Sequence, residues 1–107
     1  MSHVTTHVLD TALGLPAANV PVALLGADGE ILGAGITNSD GRIPELGPEK
    51  LEPGNYSLVF DTEAYFAQSE RDSFFPWVTI DFKLDTAAHY HVPLLLSPFA
   101  YSTYRGS

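Results

Sequence analysis

The chain has 107 residues and a formal net charge of −8, with only five Lys or Arg. A protein that neutralises phosphates needs a basic face, so this balance argues against nucleic acid as a partner. There are no cysteines, which excludes a disulfide framework, thiolate metal ligands and a cysteine nucleophile.

Turn-forming residues punctuate the chain at short intervals, and the runs between them are rich in Val, Leu, Ile, Thr and aromatics. That pattern argues for an all-β sandwich or barrel. In chain order the runs predict strands over Val4–Asp10, Val20–Gly26, Glu30–Thr37, Gly41–Leu46, Asn55–Phe60, Pro76–Leu84, His89–Ser97 and Phe99–Arg105. Gly14-Leu15-Pro16 reads as a breaker. Asp28-Gly29 reads as a hairpin turn, because glycine accepts positive φ without steric cost. One segment departs from the pattern: Thr62–Glu70 predicts a short helix, with Asp61 or Thr62 as its cap. The length suits one domain over residues 1–107. No apolar run approaches the ~18 residues of a membrane span. The first ten residues lack the basic and apolar regions of a secretory leader, and the chain does not end in a Ser-Lys-Leu-type address. The cytoplasm is therefore the expected compartment.

Side chains alternate faces along a strand. In the last long run Tyr90, Val92, Leu94 and Leu96 form a core set, while His89, His91, Pro93, Leu95 and Ser97 face the other way. In the first run Val4, Thr6 and Val8 face inward, and His3, Thr5, His7 and Leu9 face outward. All four histidines are thus expected away from the core. His3 and His89 read as surface histidines. His7 and His91 share their faces with Leu9, Pro93 and Leu95, and a sheet face mixing apolar residues with histidine often meets a partner rather than water. Arg42 follows the turn cluster Asn38-Ser39-Asp40-Gly41 and gains a binding role only if other residues converge on it. The tail, Tyr101 to Ser107, has no low-complexity filler and reads as docked, although termini often fray.

A neutral imidazole can take a proton from water near neutral pH. A guanidinium can hold a planar, electron-rich heterocycle and offset oxyanion charge. A His–Arg set can therefore hydrolyse a cyclic amide without metal or other cofactor. No Gly-x-Ser-x-Gly elbow is present to support a serine nucleophile. The rival reading is a zinc site at His7, His89 and His91, since three protein ligands plus water is the usual catalytic zinc pattern; the His-x-His spacing alone is unspecific.

His7-Val8-Leu9-Asp10 with Gly14-Leu15-Pro16-Ala17, then Thr37-Asn38-Ser39-Asp40-Gly41-Arg42, and finally His89 to Pro98 with Tyr101 to Ser107 resemble the signature blocks of the transthyretin-like protein family. The Tyr-Arg-Gly-Ser ending, Tyr104 to Ser107, resembles its hydrolase branch rather than the hormone carriers. The resemblance implies an eight-stranded β-sandwich with one short helix and a homotetramer built as a dimer of dimers, its sites lying in a channel between dimers. It implies hydrolysis of 5-hydroxyisourate, a small molecule of urate breakdown, with no cofactor. It assigns catalysis to His7, Arg42, His91 and Ser107, and substrate contact to Arg42, Tyr104, Arg105 and Ser107. Fold alone leaves a second reading, a carrier that binds an aromatic ligand without turnover.

Overall fold

In the computed structural model, which describes residues 2–107, the apolar runs become short strands with alternate residues turned inward. The elements in chain order are β1 (Val4–Thr5), β2 (Val8–Asp10), β3 (Leu15–Pro16), β4 (Pro21–Leu25), β5 (Ile31–Ile36), β6 (Gly54–Phe60), α1 (Thr62–Ala67), β7 (Val78–Leu84), β8 (Tyr90–His91), β9 (Leu94–Ser97) and β10 (Ala100–Thr103). One four-stranded sheet has the order β10-β9-β2-β3 and the other β5-β4-β6-β7. β1 pairs with β8, parallel, with Val4 opposite Tyr90. β2 pairs with β9 at the same offset, with Val8 opposite Leu94. β1 therefore continues into β2 and β8 into β9. Counted that way, the described residues form eight strands, four in each layer.

The core lies between the layers. Leu24 of β4, Leu58 and Phe60 of β6, Val78 and Leu84 of β7, and Leu94 and Leu96 of β9 are essentially inaccessible to water. Each such side chain contributes about 1.5–3 kcal/mol relative to exposure. α1 starts at Asp61, whose Oδ1 accepts from the Ala64 N–H at 3.1 Å, and it buries Tyr65 and Phe66.

The structure corrects the sequence reading at four places. The segment expected as a strand over Gly41–Leu46 is not one. Gly41 takes a φ of 76° and Pro44 has no N–H to donate, so only Arg42 bridges to a neighbour, His7. The breaker at Leu15–Pro16 instead supplies β3, paired with the end of β2. Pro93 is buried rather than outward; lacking an N–H, it also interrupts the run between β8 and β9. His3 is buried, only 4% exposed, because it precedes β1 and folds against two loops. Its Nδ1 accepts from the Leu51 N–H at 2.9 Å, which leaves Nε2 to donate to the Ala88 carbonyl at 3.0 Å.

Candidate active site

Three segments remote in sequence meet at one end of the first sheet. The first is the β1/β8 pair, whose parallel register sets Thr5 opposite His91. The second is the turn before Arg42. Asn38 Oδ1 accepts from the N–H groups of Asp40 at 2.9 Å and Arg42 at 3.1 Å, while the Gly41 carbonyl accepts from the Val8 N–H at 2.8 Å. A β-carbon at position 41 would collide with the Val8 carbonyl oxygen, so the turn lies this close to β2 only because residue 41 is glycine. The third is the tail. Gly106 N–H donates to the His91 carbonyl at 2.8 Å, and a β-carbon at Gly106 would come within 2.5 Å of the His91 ring. The chain end is thus docked on β8, as its composition led one to expect.

These segments enclose a pocket of about 530 Å³ whose lining includes Thr5, Asn38, Arg42, His89, His91, Tyr104 and Ser107. Four of the residues singled out from sequence, Arg42, His91, Tyr104 and Ser107, therefore face one space within a single chain. His7 is half-buried beside it, bridged to Arg42 through the backbone. Arg105 points elsewhere: its guanidinium lies 4.4 Å from the centre of the Tyr90 ring, in a separate depression with Ile80 and Lys83. That cation–π contact ties the tail to the sandwich.

Burial holds the His91 imidazole below its ordinary pKa of 6.5, and the charges of Arg42, His89 and His7 lower it further. Near neutral pH His91 is therefore uncharged and can accept a proton. Arg42 is exposed at the pocket wall, where a cation can meet developing negative charge. A larger apolar groove, about 820 Å³, lies on β4 and β5 and is walled by Ile36 and Trp77. It contains Asp61 and Glu63 but no imidazole or guanidinium, so it lacks the groups for this chemistry.

Two contributors escaped the sequence reading. Asn38 shapes the turn that presents Arg42, and its place in a turn cluster was the available signal. Thr5 was assigned only a face; its hydroxyl lies 2.8 Å from both His89 Nε2 and His91 Nδ1. The proposed zinc triad does not form. Among the described residues no group of three or more His, Cys, Asp or Glu is arranged to hold a metal ion.

The model of the HIUase/Transthyretin family matches residues 4–106. A 5-hydroxyisourate hydrolase of Mus musculus is 45% identical over 113 residues, covering 99% of this chain and 96% of the relative. The solved Klebsiella pneumoniae 5-hydroxyisourate hydrolase superposes with a TM-score of 0.89 at 41% identity, covering 97% of this chain and 98% of that one. Transthyretin from Sparus aurata superposes with a TM-score of 0.91 at 30% identity, covering 99% and 97%. Shape alone therefore does not separate the hydrolases from the carriers; the side chains of the pocket have to.

Proposed function

Because the chain belongs to the HIUase/Transthyretin family, we propose that it is a 5-hydroxyisourate hydrolase. It opens the substrate ring by attack of water on a ring carbonyl, giving 2-oxo-4-hydroxy-4-carboxy-5-ureidoimidazoline. The observation that carries this reading is the shared pocket of Arg42, His91, Tyr104 and Ser107 in a chain 45% identical to a hydrolase of that name.

His91 is the general base. It lines the pocket and is neutral near pH 7, so it takes the proton of water as oxygen bonds to the carbonyl carbon. Arg42 holds the carbonyl edge and stabilises the tetrahedral oxyanion. Collapse of that intermediate breaks the ring C–N bond, and the nitrogen leaves with a proton returned by the imidazole. His7, bridged to Arg42 beside the pocket, adds to the charge environment of His91. Ser107 positions water or a ring carbonyl, and Tyr104 covers the planar ring. Arg105 supports the tail from its place on Tyr90. The enzyme needs no cofactor in this scheme. Residues 1–107 act as one hydrolase domain, assembled as a tetramer in the cytoplasm; the outward apolar residues of the first sheet support assembly.

The test is the decay of substrate ultraviolet absorbance. Purified protein should accelerate it, His91→Ala should lower kcat by about 10²-fold or more, and a chelator should leave the rate unchanged. Tight binding of an aromatic ligand with no turnover would favour the carrier reading. Loss of rate on chelation, restored by zinc, would overturn the metal-free scheme.

A further inference from the structure

His89 and His91 flank a single hydroxyl. Thr5 Oγ1 lies 2.8 Å from His91 Nδ1 and 2.8 Å from His89 Nε2. The two rings are 6.4 Å apart and inclined by 29°. His91 is half-buried on the pocket wall and His89 is exposed to water. From these positions we propose that Thr5 is a proton relay, passing the proton that His91 collects from the attacking water out to His89 and returning it for the leaving nitrogen. This rests on the hydrolase reading above and adds two residues to it. Both act through His91 and neither touches the reacting atoms.

The chemistry follows from the hydroxyl having one hydrogen and two lone pairs. With both rings neutral and both hydrogen bonds made, Thr5 donates to one ring and accepts from the other. In the resting arrangement His91 donates Nδ1–H to Thr5, Thr5 donates to His89 Nε2, and His91 Nε2 is bare. When Nε2 takes a proton, His91 releases its Nδ1 proton to Thr5 as Thr5 releases its own to His89. The positive charge then sits on the exposed ring, where water solvates it. Reversal restores the resting arrangement. Nε2 gives its proton to the leaving nitrogen, Nδ1 recovers one from Thr5, and Thr5 recovers one from His89. No proton is lost or gained over the cycle, and no other reactant is needed.

The groups facing His91 are consistent with this direction. Arg42, His7 and His89 all disfavour charge on it. Tyr104 and the terminal Ser107 share the pocket wall, and Arg105 is turned away onto Tyr90. A charge formed on His91 is therefore poorly accommodated, and an exit through Thr5 relieves it.

The relay requires one resting pattern: while neutral, both histidines carry Nδ1–H, so that His91 Nε2 is bare and His89 Nε2 accepts from Thr5. Side-chain ¹⁵N spectra of the whole protein should show matched patterns for His89 and His91, and Thr5→Val should uncouple them. Thr5→Val should also lower kcat by about 10-fold or more with little change in KM, by analogy with the loss when a partner that orients a histidine is removed. Thr5→Ser should restore it. His89→Gln lies at the surface, tests the exit without risk to folding, and should lower kcat and alter the pH profile of kcat. Nε2–H on either neutral histidine in the wild-type protein, or wild-type kcat and pH profile in His89→Gln, would overturn the relay. If the wild-type protein fails to turn over 5-hydroxyisourate, the hydrolase reading falls, and the tautomer pattern still decides the hydrogen-bond coupling.

Discussion

His91, the proposed base, stays neutral near neutral pH because its surroundings are unkind to positive charge. Burial is the larger cause, and Arg42 is the next. The sign of the consequence is definite. In the proposed mechanism the neutral ring is the active form, so activity should fall as pH drops through a pKa below 6.5. Arg42→Gln removes a cation and should move that acid limb to higher pH, while the remaining burial keeps the shift partial. The same substitution should lower kcat/KM by about 10²–10³-fold through loss of oxyanion stabilisation. A pH series of kcat/KM separates the two effects. An acid limb that stays in place would show that the Arg42 charge does not reach His91. At this scale Arg42, His91, Tyr104 and Ser107, which line one pocket, could be singled out through residue type, face and family resemblance, and His7 falls beside it. Thr5 was not, because its meaning depends on which strand lies beside it.

At the scale of elements, one polar knot ties β2 to α1 and the turn after it. Asp10 is completely buried. Its Oδ2 accepts from the Tyr65 hydroxyl and from Arg71 Nη2, each at 2.7 Å, and Oδ1 accepts from the N–H groups of Ala12 at 3.1 Å and Leu13 at 3.0 Å. Burial pushes the Asp10 carboxyl up, but the bonds from Arg71 and Tyr65 outweigh it and leave the pKa below 3.8. The Tyr65 phenol is pushed up to about 12, by burial and by the carboxylate. A depressed carboxyl pKa means stability that is present above 3.8 and lost as pH falls through the folded-state value. Arg71→Met keeps the aliphatic stem but leaves the buried carboxylate short of a partner. It should cost about 3 kcal/mol at neutral pH and bring the acid loss of stability to higher pH. Thermal unfolding across pH 3–7 checks this, and unchanged curves would mean the bond adds nothing. The cap at Asp61 was readable from sequence because capping is local. The strand at Leu15–Pro16 was not, since a two-residue strand exists only through its partner in β2.

At the scale of the whole molecule, the family relationship accounts for the sandwich, and the proposed tetramer accounts for its outward apolar residues. Leu15, Phe99 and Tyr101 are substantially exposed on β3, on β10 and just before it, and single-chain burial gives no reason for such a set on one sheet. Sedimentation equilibrium should therefore give four times the 11.6 kDa chain mass. A monomer at micromolar concentration would remove the assembly from the scheme.

What the amino-acid sequence determined alone is whatever depends on near neighbours: alternating faces, turns at glycine and asparagine, a capped helix, and the inventory of imidazoles and guanidinium groups available for chemistry. Fold class followed from these because a two-residue period commits each run to one buried face. Only the tertiary structure decided which strands lie side by side. The parallel pairing that brings Thr5 to His91 joins residues 86 positions apart, and nothing local encodes it. The burial of His3 and the docking of Gly106 have the same origin: long-range backbone hydrogen bonds and close packing select them, so they exist only once the layers have closed.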